Sequence, residues 1–313
     1  MNQQAESILR EVKKAIVGKD EVVARALMVV LSRGHILLED VPGVGKTTLA
    51  LAFSRAMGIE YRRVQFTPDV VPSDILGFSI YDKETGNLVY KPGAVMCNLL
   101  LADEINRTSS KTQSALLEVM EERQVSIDGV THALPDPFLV IATQNPVGAA
   151  GTQLLPQAQL DRFMARLKMG YPDFNSQVRI LRDRKGENPL NQVSQTVDAA
   201  AVRRMQGEVD SLNVADSIYE YITHLAQATR EHAVVQLGVS PRGALAVLKM
   251  AQARAYVSGR DYVLPEDAAA VFGDVCAHRL VLSPKAKLAG KTAEDVIREV
   301  LASVRMPLAG ARG

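Results

Sequence analysis

Two short stretches carry side chains whose types and spacing could do chemistry together. In the first, Gly43-Val44-Gly45-Lys46-Thr47-Thr48 follows the apolar run Ile36-Leu37-Leu38 and opens a helical stretch from Thr47 to about Met57. Glycines at 43 and 45 let backbone N–H groups curl around an anion, and the helix N-terminus adds partial positive charge. Lys46 would reach the terminal phosphates, and the Thr47 hydroxyl would sit on Mg²⁺. The general pattern G-x-x-x-x-G-K-[ST] has Asp40 in place of its first glycine, at a position that begins the turn. The second stretch, Asn98-Leu99-Leu100-Leu101-Ala102-Asp103-Glu104, is a buried strand pattern ending in two acids. Asp103 suits an outer-sphere hold on Mg²⁺, and Glu104 suits polarising a water for attack on a γ-phosphate. A glycine-rich turn or a strand ending in acids is ordinary when alone; the pair in this order predicts a nucleoside triphosphate site.

Further candidates sit where elements end. Asn145 follows the apolar run Phe138 to Thr143 and could hydrogen-bond the γ-phosphate or the attacking water, although Gln-Asn-Pro is also a plain turn. Arg162 and Arg166 are unexceptional as surface arginines, but phosphoryl transfer gains from a guanidinium that neutralises transition-state charge, often from another subunit. Arg242, just inside a helix after Val239-Ser240-Pro241, could act similarly or simply be a solvated first-turn residue. The five histidines lack metal-ligand spacing, and no nucleophile elbow or Cys/His pattern is present. The clusters Arg62-Arg63 and Arg182 to Lys185 read as solvated faces.

The elements that must position these groups follow in order. Helices are predicted over 2–14 and Asp20 to Leu31, then strands near Tyr61 to Phe66, Asn98 to Glu104, Phe138 to Thr143 and Arg166 to Met169. A helix is predicted from about Ser109 to Arg123. Two hairpins are expected, over 78–90 around Thr85-Gly86 and over Gln124 to Leu134 around Asp128-Gly129. From Tyr171-Pro172-Asp173 onward helical periods dominate, near 175–184, 198–212, 215–231, 241–258, 265–280 and 292–304. The division expected is an α/β unit over 1–172 and an all-helical one over 173–313.

Composition narrows the partners. Of 313 residues, 47% are hydrophobic and 23% charged, an ordinary globular balance. A net charge of +1 and 5% aromatic residues argue against a nucleic-acid footprint. Cys97 and Cys276, each among apolar neighbours, are expected to be buried free thiols. No run approaches a membrane span and residues 1–10 lack a signal-peptide core, so a cytoplasmic protein is expected.

Taken together, these residues resemble the MoxR family of AAA+ ATPases from about Ile16 to Leu282. The motifs carrying the resemblance are Leu-Leu-Glu-Asp-Val-Pro-Gly-Val-Gly-Lys-Thr at 37–47, Gln-Phe-Thr-Pro-Asp-Val-Val-Pro-Ser-Asp-Ile-Leu-Gly at 65–77 and Leu-Leu-Ala-Asp-Glu-Ile-Asn-Arg at 100–107. Ala-Thr-Gln-Asn-Pro at 142–146, Leu-Pro-Gln-Ala-Gln-Leu-Asp-Arg-Phe at 155–163 and Ser-Pro-Arg at 240–242 complete the set. Asp40 is usual in such a loop. The resemblance implies an AAA+ core whose five-stranded parallel sheet has strand order 5-1-4-3-2, with a C-terminal helical lid. It implies ATP and Mg²⁺ as ligands, Gly43 to Thr48 as Walker A and Asp103 and Glu104 as Walker B. Asn145 becomes sensor 1, Arg242 sensor 2 and Arg162 the arginine finger, with Arg166 the second choice. Val17 and Gly18 would contact adenine. The hairpins match a helix-2 insert (about 73–95) and a pre-sensor-1 insert (about 124–135) that face a pore or partner. Two departures stand near the expected subunit interface: the loop 147–153 lacks the usual acidic and aromatic residues, and Gln157 replaces a usual Glu.

The function so implied is a Mg²⁺-dependent ATPase in a hexameric ring that remodels or matures protein complexes, often with a von Willebrand factor A domain partner. A chelatase motor subunit is a near relative of that reading. A nucleic-acid-directed motor and a nucleotide-gated scaffold without turnover are the alternatives.

Overall fold

Strands that read as unbroken apolar runs need cover on both faces, and the computed structural model, which describes residues 1–144, 155–183 and 188–307, supplies it. The chain opens with helices α1 (Gln3–Ala15) and α2 (Asp20–Leu31), then β1 (Ile36–Glu39), α3 (Lys46–Met57) and β2 (Tyr61–Gln65). A short α4 (Pro72–Leu76) leads into the hairpin β3 (Gly77–Tyr81) and β4 (Leu88–Pro92). Strand β5 (Leu99–Asp103) is followed by α5 (Ser110–Glu122), a second hairpin β6 (Gln124–Ile127) and β7 (Val130–Ala133), and β8 (Leu139–Gln144). The α/β part closes with α6 (Gln157–Leu160) and β9 (Ala165–Leu167).

Five of these strands form one parallel sheet in the order β2-β5-β8-β1-β9. Counted along the core strands alone this is 5-1-4-3-2, as expected. Period-2 alternation sends successive side chains to opposite faces. Ile36, Leu38, Leu99, Leu101 and Ile141 pack beneath α1, α2 and α3. Leu37, Leu100, Ala102, Val140 and Ala142 pack beneath α5 and beside Phe66 and Phe163. The second hairpin turns through Asp128 (φ 51°) and Gly129 (φ 78°), the paired left-handed conformation a two-residue turn requires.

Beyond Tyr171 the chain continues as α7 (Phe174–Asp183), α8 (Ala199–Asp210), α9 (Asp216–Glu231), β10 (Val235–Leu237), α10 (Pro241–Val257) and α11 (Pro265–Cys276). It ends in β11 (Val281–Leu282), α12 (Pro284–Leu288) and α13 (Ala293–Ser303). The helical lid is present, but the expectation of an all-helical one needs correcting. Strands β10 and β11 pair antiparallel across it, and segments of three and two residues are too short to show alternation. One apolar cluster runs from α1, α2 and α3 into α8, α9, α10 and α11, so these helices pack onto the α/β part. Cys97 and Cys276 are buried free thiols, and burial pushes both up to about 12. Among the described residues no helix is long and apolar enough to cross a membrane.

His35 joins three elements at the start of β1. Its Nδ1 accepts from the Val140 N–H (3.0 Å), which leaves Nε2–H to donate to the Met120 carbonyl (3.0 Å). Burial pushes its pKa down to about 4. Between that value and about 6.5 the unfolded chain binds a proton that the folded chain refuses, so stability rises with pH through this window. His278, also buried and also shifted down, adds in the same direction. Urea unfolding should therefore show a loss of about 2 kcal/mol from His35 alone between pH 7 and pH 5. Equal stability at the two pH values would contradict this reading of His35.

Candidate active site

The loop between β1 and α3 is shaped by two glycines that no other residue replaces cheaply. Gly43 (φ 84°) and Gly45 (φ 99°) both lie in the left-handed region, and Gly45 caps α3. A Cβ on Gly43 would meet nothing, so its neighbourhood is open to a ligand. Lys46 begins the helix almost buried and donates from Nζ to the Asp40 carbonyl (2.8 Å). Burial holds its pKa below the usual lysine value, while the carboxylates of Asp103, Asp40 and Glu104 pull it back up. The ammonium and the acid pair therefore share one site.

Asp40, the departure from the general loop pattern, has work that glycine could not do. Its carboxylate accepts from the N–H groups of Val41 and Gly170, fastening the start of the loop to the chain just beyond β9. Beside this tie opens a cleft of about 370 Å³ whose walls include Ile16, Val17, Gly43, Val44, Gly45 and Thr48, with Met169, Tyr171 and Leu181 opposite. Val17 and Gly18 thus stand next to the phosphate loop. Gly18 (φ 72°) is also confined, because a Cβ there would run into the Ser176 side chain.

Asp103 ends β5, and Thr143 of the adjacent β8 secures both acids. The Thr143 hydroxyl donates to Asp103 Oδ1 (2.6 Å) and accepts from the Glu104 N–H (2.8 Å). Glu104 needs that anchor, since it adopts left-handed backbone (φ 58°), a conformation costly for a residue with a Cβ. Its carboxylate is held by Arg107 (2.8 Å). Arg63 of β2 is exposed, as expected of a solvated face, and its guanidinium also reaches Asp103 Oδ2 (2.7 Å), which makes it an ion-pair partner at the site. Thr143 was legible only as part of the quoted Ala-Thr-Gln-Asn-Pro motif, where its strand gave no sign of a polar role. Asn145 and the loop 147–153 lie outside the described residues.

Thr47 and Asp103 offer the hard oxygen donors that Mg²⁺ takes when phosphates and water complete its shell. Among the described residues no group of three or more His, Cys, Asp or Glu could hold a metal by itself. The donor set therefore suits an ion that arrives with a nucleotide.

The arginines divide between the two edges of the sheet. Arg166, on β9, pairs with Glu39 at the end of β1 (3.2 Å) and with Glu294 of α13 (3.1 Å). Gln144 also donates to Glu39 (2.9 Å), so Arg166 belongs to an internal network beside the chain's own loop. Arg162 sits at the opposite edge, where Met164 N–H donates to the His35 carbonyl ahead of β1. Its guanidinium donates to the Leu117 carbonyl (2.7 Å) and pairs with Glu121 (3.2 Å), and Arg242 pairs with the same Glu121. At about 3.3 Å per residue, roughly 16 Å of strand separates His35 from Asp40. The structure therefore brings Arg242 to Arg162 and neither to the chain's own phosphate loop. Gln157 donates to the His278 carbonyl (3.0 Å), a bond that a Glu carboxylate could not make.

The Thr143 clamp yields a prediction. Thr143→Val removes a hydrogen bond to a charged group, worth about 1.5–3 kcal/mol. If that bond is spent on positioning, kcat for nucleotide hydrolysis falls roughly ten- to hundredfold, nucleotide Kd holds, and Thr143→Ser restores the rate. A Thr143→Val chain with unchanged kcat would show that the clamp is not needed.

Comparison with known proteins agrees with this geometry. Residues 35–165 match the model of the ATPase family associated with various cellular activities (AAA), and residues 227–300 match the AAA lid domain. The chain is 47% identical to the uncharacterized protein YeaC of Bacillus subtilis, covering 96% of this chain and 94% of that one. It is 43% identical to chaperone MoxR1 of Mycobacterium tuberculosis, over 96% of this chain and 82% of the relative. The crystal structure of a putative ATPase from Cytophaga hutchinsonii, 37% identical, superposes with a TM-score of 0.89 over 97% of this chain and 95% of that one. With the five-stranded sheet, the glycine loop and the paired acids in place, the chain belongs to the MoxR family of AAA+ ATPases.

Proposed function

We propose that this ATPase works as a head-to-tail ring, expected to be hexameric, in which each ATP site is completed by Arg162 and Arg242 of the neighbouring subunit. The observation that carries the proposal is the separation of these arginines from their own chain's loop. Both are held by Glu121 at the far edge of the sheet, where only another copy's nucleotide could meet them. Arg166, bridged to Glu39 and Glu294 within its own chain, is the weaker candidate for the finger. In this reading Val17 and Gly18 flank the base, and backbone N–H groups over Gly43 to Thr48 hold the phosphates. Lys46 exchanges the Asp40 carbonyl for a phosphate oxygen. Glu104, steadied by Arg107 and Thr143, takes the hydrogen bond of the attacking water, with Asn145 as its second guide. Thr47 and Asp103 would hold Mg²⁺, which supplies charge neutralisation at the transferring phosphoryl group.

Chaperone-like remodelling of protein complexes is the proposed use of the hydrolysis, in line with the relative named chaperone MoxR1. The α/β unit over 1–172 would drive the lid over 173–313, with the hairpins as inserts that touch the client. Phe78, Tyr81 and Leu88 give the β3–β4 hairpin an exposed apolar surface suited to protein. Tyr90 of that hairpin stacks on His132 of the other at 3.9 Å, which supports their acting together. A von Willebrand factor A domain protein is the proposed partner. The net charge of +1 favours no nucleic-acid track, and Glu104 beside Lys46 favours turnover over a passive scaffold.

The composite site is tested by mixing. Lys46→Ala and Arg162→Ala chains should each be inactive alone, the second by about a thousandfold or more. Mixed in equal amounts they should recover activity, because roughly a quarter of the sites in a random ring join an intact loop to an intact arginine. A mixture as inactive as its components would overturn the shared site.

A further inference from the structure

Helix α7 is amphipathic in sequence but buries nothing. Phe174, Val178 and Leu181 recur at the i, i+4, i+7 spacing of one helical face, yet none of its ten residues is buried, and Phe174 is 82% exposed. A helix this short draws its stability from packing rather than from propensity. Its remaining face already has a place, since Gln177 and Ile180 wall the nucleotide cleft, and Leu181, still 66% exposed, stands where that wall meets the stripe. The unpartnered stripe therefore lies directly beside the site that a neighbouring subunit must complete.

A matching surface lies on the lid. Between α9 and α10 runs an apolar groove whose walls include Tyr219, Ile222, Ala226, Ala244, Leu245 and Leu248. Leu245 is 60% exposed and also walls the pocket that holds Arg162 and Arg242, so the groove opens into the arginine cluster. Arg230, which also walls the groove, is held by the Val239 carbonyl, and the complementary charges lie at the start of α9. Helix α7 carries exposed Arg179 and Arg182, the first shared with Asp183, and the start of α9 carries exposed Asp216 and Glu220.

We propose that the occupant of this groove is α7 of a second copy of the chain. The apolar stripe of α7 on one subunit docks between α9 and α10 of the next, next to the Arg162 and Arg242 that the next subunit presents to the first one's ATP. The contact is heterologous, which is the geometry that closes into rings. It rests on the composite-site reading and goes further, by assigning the surfaces that align the two halves. It also accounts for an exposed apolar stripe on a helix that walls the cleft.

The test uses Phe174→Glu and Leu245→Lys chains, each checked by circular dichroism for intact fold and by nucleotide titration for unchanged Kd. Sedimentation velocity with ATP and Mg²⁺ should show each single variant assembling only at about tenfold or higher concentration than the wild type, with ATPase activity lost in parallel. An equal mixture of the two should assemble and hydrolyse ATP again. In an alternating ring the acidic helix of the Phe174→Glu chain meets the basic groove of the Leu245→Lys chain, and every other junction stays apolar. Normal assembly of either single variant, or failure of the mixture, would overturn the docking. The Lys46→Ala and Arg162→Ala mixture run alongside separates the causes: recovery there with normal assembly of Phe174→Glu removes the docking and keeps the shared site. No recovery there, or a wild-type chain that stays monomeric throughout, removes both.

Discussion

A parallel sheet has a direction, and the remaining features of this protein follow from it. All five core strands end at one edge, so the loop after β1, the acids after β5 and the hydroxyl of Thr143 on β8 meet there without long side chains reaching for one another. Each helix that follows a strand must return the chain to the other edge, which is where α5 delivers Glu121. The two ends therefore hold different groups. One gathers the glycine loop, the Lys46 ammonium and the two acids, with Arg63 and Arg107 paired to those acids; the other gathers Arg162 and Arg242 on Glu121. Under the proposed shared site, a molecule with its cradle at one end and Arg162 and Arg242 at the other would be completed by a second copy.

Lys46 illustrates how closely the first end is balanced. Burial works against its charge, and three carboxylates nearby work for it. The acids need support in turn. Asp103 is paired with Arg63 and Thr143, and Glu104, strained at φ 58°, is anchored by Thr143 and Arg107. The site is thus a small network in which both acids are held by more than one contact. The lid is tied to the α/β part at both ends of the sheet, since Arg166 bridges Glu39 to Glu294 and Arg279, just after α11, joins Asp161 (2.7 Å) beside Arg162 and Arg242. The end of β1 and α13 are thus linked through a single guanidinium.

Much of this was legible in the residues. Short apolar runs marked the central strands, Asp128-Gly129 marked its hairpin, and most of the expected helix boundaries fell within a residue or two because Pro, Ser and Asp stand at the caps, while the helix expected over 265–280 ends at Cys276. The sheet order came from resemblance, since periodicity alone orders no strands. Other features depended on tertiary proximity, which sequence spacing does not encode. The ion pair of Arg63 was not legible because Asp103 lies 40 residues on in the chain and comes beside it only through the pairing of β2 with β5. Thr143 looked like a strand residue because its hydroxyl is used sideways, across the sheet. Asp40 read as a missing glycine until Gly170 appeared opposite its carboxylate. Strands β10 and β11 were too short to register, and Arg242 could be assigned a class of role but not an edge of the sheet.

The central claim is that catalysis requires contact between copies. The most direct measurement is phosphate release per subunit across a dilution series, with Glu104→Gln as the blank and sedimentation run on the same samples. Per-subunit activity should fall as the chain dissociates, in step with the loss of assembled species, and be absent in the variant. Full per-subunit activity from a sedimenting monomer would contradict the account.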